Sequence, residues 1–266
     1  MEFLRVVKRR QSAFSELIYI TLNVGLAVAI LAAIWATGSP WLGLVIVLLS
    51  KWRVLAVRPR YWFTHIEANI VDIVVSVSVV LLMYIAGQAE SLQGLIVQIV
   101  LALLYTVWLL VVKPRGNRRA IAIQAGVAIF IGTFALASVS YEWPSSFFVL
   151  GMWVIGYTSA RHVLASYSEE SLRFLGLVWG FIAAEIGWIT YHWTVAYTLP
   201  SAAGLKLPQV SLILLGLSFI AERAYNSYHR HGEIRRNDIL LPFLLVIGVL
   251  IIMLFTPFNQ AAIGAI

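Results

Sequence analysis

Cysteine is absent from this chain of 266 residues. Its absence excludes disulfides, thiolate nucleophiles and cysteine-bound metals together, and leaves no redox clue to compartment. Charge is also scarce, with Asp, Glu, Lys and Arg making up 12% of the sequence, against about 25% in ordinary soluble domains. No polar stretch is long enough to hold a nucleotide-binding domain, and no Gly-x-x-x-x-Gly-Lys-Ser/Thr loop occurs. His-Glu-x-x-His and Gly-x-Ser-x-Gly are missing too, so zinc-protease and serine-hydrolase chemistry lose their usual equipment. Lys8, Lys51, Lys113 and Lys206 all lie at or beyond the ends of apolar runs, which excludes a retinal Schiff base within a bundle. The predicted external loops carry no Asp, against a glycosyltransferase with outward-facing aspartates.

What remains is apolar: 61% of residues are hydrophobic, so the bilayer is the expected solvent. A crossing helix needs about 20 mostly apolar residues for a hydrocarbon core of ~30 Å, because lipid satisfies no backbone group. Eight runs qualify, over about 14–37, 70–87, 92–112, 120–140, 145–164, 174–199, 209–225 and 239–256. A ninth, 41–53, is short enough to read equally as an interfacial segment. Charge decides for a span. With it crossing, 18 of the 19 Lys and Arg residues fall on the side of the N-terminus and only Lys206 lies opposite; without it the split is 14 to 5. The expectation is an all-α bundle of nine spans in one membrane domain over 1–266, N-terminus in the cytoplasm and C-terminus outside. Arg5, Lys8, Arg9 and Arg10 precede a first run too long for a cleaved signal core, so it reads as a retained span. Short loops favour a bacterial cytoplasmic (inner) membrane. The net charge of +7 reads as topology and as attraction to anionic headgroups, not as a nucleic-acid surface. The prolines sit at span ends or in loops, which lowers the prospect of broken transporter helices.

The seventh run is the most informative. At 100° per residue, Gly176, Gly180, Ala183 and Gly187 form a stripe of small residues suited to close helix approach and to a membrane-protein partner. Phe181, Glu185, Trp188 and His192 form a second stripe on the far side, expected to face a polar, aromatic-lined interior. Glu185 lies about 18 Å along the helix from Arg173, near mid-membrane, and is the one acid in the middle of a span. Such a residue is either a proton carrier, relayed by His192, or a neutral acid bonded to Asn23, Gln98, Gln124 or Thr190.

The loop from Lys51 to Trp62 interleaves Arg53, Arg58 and Arg60 with aromatic residues, a composition suited to lipid headgroups or to a simple aromatic belt. Asp72, with Asn69 and Ser76, reads as an exposed partner of nearby arginines, as does Glu222. The histidines of His229-Arg230-His231-Gly232-Glu233 sit among arginines and make a poor cation site, so no metal and no cofactor are expected.

Lys51, six residues, then Arg58-Pro59 resembles the first motif of the type 2 phosphatidic acid phosphatase family. Arg223, His229 and Glu233 resemble the spacing of its third. The resemblance implies that Lys51, Arg58 and Arg223 grip a phosphate while His229 attacks and Glu233 orients it. It covers only about 25 residues, Glu233 stands for an aspartate, and the middle Pro-Ser-Gly-His motif is absent: Pro144-Ser145-Ser146-Phe147 lacks the histidine. Three functions follow as expectations: a transporter of a small or lipid-linked substrate working through Glu185, a non-catalytic membrane subunit or assembly partner, and a cytoplasmic-face lipid-phosphate enzyme.

Overall fold

The computed structural model describes residues 13–52, 56, 58, 62–89, 91–140, 142–193, 195–198 and 205–255. Those residues fold into nine α-helices and one short hairpin: α1 Ala13–Thr37, α2 Pro40–Ser50, α3 Trp62–Gly87, α4 Leu92–Val107, α5 Arg118–Val139, α6 Ser145–Ala165 and α7 Leu172–His192, then β1 Ala196–Thr198, β2 Lys206–Pro208, α8 Gln209–His231 and α9 Arg236–Phe255. Seven helical segments are long and apolar enough to cross a membrane; α2 and α8 are the exceptions. This is a helical integral membrane protein.

Local chemistry sets several of the boundaries. Pro40 opens α2, where its missing N–H is no loss, and the Ser39 hydroxyl accepts from Trp41 N–H. Ser91 and Asn117 cap α4 and α5 by accepting from Gly94 and Ala120 N–H at 3.1 and 2.8 Å. Gly232 ends α8 at φ 70°, where its N–H bonds Tyr228 O. At 11 residues, or about 16 Å, α2 is half the usual span. The last third of α8, from Glu222 onward, is polar.

Three boundaries differ from expectation, one being α8, which runs six residues past 225 to His231. The 174–199 run stops being helical at His192, because Ala196-Tyr197-Thr198 pairs antiparallel with Lys206-Leu207-Pro208. That hairpin covers one end of the bundle, and Tyr197 OH donates to Met253 O at 3.1 Å. Helix α3 begins eight residues before the apolar run, at Trp62.

Helices α3 and α5 form the centre, each more than half buried over its apolar window, while α9 and α1 are the least covered. One apolar cluster joins α1 to α4 around Ile30, Val47, Val75, Met83 and Leu109. A second joins α5 to α8 around Ile129, Met152, Ala183 and Leu214. Burial of this kind does not drive helix association in lipid, so close packing and polar contacts between helices carry more of the stability.

Candidate functional site

On α7 only one of the two stripes packs within the chain. Gly176, Gly180, Ala183 and Gly187 are buried against α6: a Cβ on Gly180 would stand 3.1 Å from Trp153 O, and one on Gly187 would stand 2.7 Å from a Met152 side-chain carbon. On the α6 side Gly156 returns the contact, its would-be Cβ 2.5 Å from that of Ala183. The small stripe therefore seals a tight α6–α7 pair and is not a free surface.

The second stripe faces outward, contrary to the interior expected for it. Phe181 is 61% exposed, Trp188 54%, and Glu185 and His192 are exposed with them. Because the stripes lie on opposite sides of the helix, close approach to α6 through glycine forces the Glu185 side away from the bundle. Among the described residues Glu185 has no hydrogen bond or ion pair. Its expected partners bond elsewhere: Asn23 donates to Tyr19 O, Gln98 to Met83 O, Gln124 to the end of α4, and Thr190 to Ile186 O. His192 stacks edge-on with Trp188 and Tyr191, at 5.0 and 5.4 Å between centroids.

A second constellation lies at the opposite end of the bundle from the hairpin, where the basic residues gather. The Asp72 carboxylate on α3 is buried, and its Oδ2 receives both the Lys51 ammonium, from the end of α2, and the Lys113 ammonium at 2.8 Å. Oδ1 accepts the Trp108 indole N–H at 3.1 Å. One turn further along, Tyr105 OH donates to Ser76 Oγ, which donates to Asp72 O. Asp72 is not the exposed partner of arginines that was expected; its partners are two lysines and an indole, in the interior.

A π-helical turn, Trp108–Val112, makes this arrangement feasible. Residues five apart on an α-helix point about 140° away from each other. In the π turn Lys113 N–H bonds Trp108 O at 2.9 Å, so the two side chains stack and reach one carboxylate. Gln124 on α5 secures the turn, its Nε2 donating to Val112, Lys113 and Arg115 carbonyls at 2.8, 3.3 and 2.9 Å, while Oε1 meets His162 Nε2.

Of the remaining predicted headgroup residues, none of the described ones joins this cluster. Arg53 and Arg60 lie outside the described residues, and Arg58 is exposed. Arg223 pairs with the adjacent Glu222 at 3.6 Å. His229 belongs to the last turn of α8, its ring packed on Tyr167 and Tyr225. Arg118 covers Tyr167 at 4.8 Å, and the Tyr167 hydroxyl donates to Glu222. Burial, and then the Glu222 carboxylate, push the Tyr167 hydroxyl above its ordinary range, which keeps it a donor. Lys51 and His229 thus sit in separate polar groups with no shared partner. Glu233 bonds Arg235 and does not orient His229.

Two cavities lie at the hairpin end. One of about 80 Å³ is lined by Ser140, Tyr191, Trp193 and Gln209. The other is an open groove beside Trp35, Ser91 and Gln98. Neither is lined by Glu185. The chain matches no known family model, no curated protein and no solved structure.

Proposed function

We propose that this chain is a non-catalytic subunit of a membrane assembly, and that the outer face of α7 docks a transmembrane helix of a different protein bearing Lys or Arg at the depth of Glu185. The observation that carries this reading is the unpartnered Glu185, about two-thirds of the way along a 21-residue helix and turned out of the bundle. An ionised acid at that depth costs on the order of 2.5–3.5 kcal/mol on insertion scales, and a cation on a neighbouring helix removes most of that cost. Exposed side chains run the full length of the same face, from Phe174 through Phe181 and Trp188 to Trp193, a footprint that fits a helix.

A second copy fits less well. In a parallel two-fold dimer about α7, residues of equal depth meet, which sets Glu185 against Glu185. No Lys or Arg of this chain lies at mid-span to answer it. Transport through the bundle would want Glu185 on an internal path, and its outward placement favours docking instead. Nine spans, with the basic end in the cytoplasm, remain the arrangement the charge distribution supports, and the short loops favour a bacterial inner membrane within the same reading.

Photo-crosslinking in native membranes tests this, with the reactive residue placed at Phe181 or Trp188 and, as a lipid-facing control, at Leu241 of α9, which is 73% exposed. The expected result is one discrete adduct from α7, absent from Leu241, to a protein with a basic residue in mid-span. Glu185→Leu abolishes it, and Glu185→Lys restores it only with an acid in place of the partner's cation. Stability of the isolated chain should be unchanged or raised by Glu185→Leu. Lipid-only adducts overturn docking, and self-adducts alone overturn the different partner.

A further inference from the structure

We propose that Lys113 and Lys51, held on the one Asp72 carboxylate, form a binding site for the phosphate of an anionic headgroup, independent of the α7 face. Charge is unbalanced here. Two ammoniums share one carboxylate oxygen, with side-chain exposures of 11% for Lys51, 38% for Lys113 and 9% for Asp72, so one positive charge is in excess in a largely dry setting. Among the described residues no nearby acid removes it. Glu67, earlier on α3, is paired with Arg161 at 2.8 Å. The carbonyls at the end of the π turn could offset part of the excess through their partial negative charge, but they already receive Gln124.

Depth and access fit a headgroup. Asp72 lies about 22 Å along α3 from its end at Gly87, near the far edge of a hydrocarbon core of ~30 Å. The partly exposed Lys113 gives a ligand a way in, while the Trp108 indole and the Gln124-secured π turn hold its backbone in place. A phosphate oxygen approaching Lys113 gains a charge-assisted bond that the shared carboxylate leaves unmade, since each ammonium has three N–H groups and one common acceptor. The chemistry is that of a phosphate ester or free phosphate, with no covalent step.

Retained lipid, read by native mass spectrometry on protein purified from vesicles of phosphatidylcholine with one-fifth phosphatidylglycerol, tests the site. Wild type should hold phosphatidylglycerol in preference to phosphatidylcholine. Lys113→Gln should reduce retained phosphatidylglycerol by about five-fold, the loss of one lysine near a headgroup. Lys113→Arg should keep it. Arg235→Gln, an exposed cation at the same end, should change little. Lys51 stays on Asp72 in the Lys113 variants, so the fold is expected to persist, and circular dichroism checks it. Equal losses from Lys113→Gln and Arg235→Gln, or no preference between the two lipids together with no effect of inorganic phosphate, overturn the site. Thermal stabilisation by inorganic phosphate that vanishes in Lys113→Gln, without lipid preference, supports the phosphate site and assigns its source to soluble phosphate.

Discussion

His162 Nε2 lies 2.9 Å from Gln124 Oε1, and the other side of the amide settles which one donates. Gln124 Nε2 gives its hydrogens to carbonyls at the end of α4, so Oε1 is the acceptor and His162 carries a proton on Nε2. Gln124→Leu strands that N–H and the carbonyls in the interior and should cost about 2 kcal/mol. Gln124→Glu should cost more, since an ionised carboxylate faces carbonyls and donates to none. Unfolding in a denaturing detergent series ranks the two, and a Glu variant as stable as wild type would refute the assignment.

The α6–α7 pair rests on contacts that leave no room for a methyl group. Gly180→Ala places Cβ 3.1 Å from the Trp153 carbonyl, which cannot give way as a side chain can, and should destabilise by about 1–3 kcal/mol. Gly25 has open space around its would-be Cβ, so Gly25→Ala should be neutral or mildly favourable. Melting midpoints of the two variants in the same detergent make the comparison.

Asp72 accepts from two cations, Lys51 nearly buried and Lys113 partly exposed, and losing it leaves both unpaired. Asp72→Asn should destabilise by about 3–5 kcal/mol. Lys113→Gln should cost much less, because Lys113 is partly solvated and Lys51 remains in place. Trp108→Phe, which removes one N–H to Oδ1, should fall near 1 kcal/mol. A cost for Asp72→Asn no larger than that for Lys113→Gln or Trp108→Phe would contradict the geometry.

The loop between α6 and α7 should respond to acid. Tyr225 OH donates to Glu169, as does Ser171 N–H at 3.1 Å, and these bonds hold the carboxyl below its usual range. A carboxyl whose folded pKa is depressed favours the docked loop fully above its ordinary value, and that contribution is lost as pH falls through the folded one. Opening of residues 166–171, read as amide exchange relative to the intrinsic rate at each pH, should therefore accelerate on acidification below the ordinary glutamate range. Tyr225→Phe should speed it at neutral pH and move the acid response toward the ordinary range.

Much of the helix pattern was legible because lipid imposes it: all the apolar runs became helices, and most ends fell within a few residues. Glycine spacing on α7 announced a close contact correctly, since only small residues permit one. Which neighbour would use that contact was not legible, and so Glu185 was expected inside; a helical wheel orders faces but names no partner. The Asp72 cluster was hidden for a different reason. Lys51 and Trp108 stand 21 and 36 positions from Asp72, and bringing Lys113 onto the same carboxylate as Trp108 needs a π turn that no apolar periodicity signals. The hairpin was missed because Ala196-Tyr197-Thr198 continues an apolar run that reads as helix until Pro200.

The π turn has a consequence in terms of chain length. A helix that winds one residue too many over Trp108–Val112 tolerates subtraction in an unusual sense. Deleting Leu110 would allow the segment to relax into unbroken α-helix with Trp108 and Lys113 four positions apart, about 40° from each other, so both would still face Asp72. In most helices a deletion throws everything after it out of register by about 100°; here the local helix would become more regular and the ion cluster would be kept.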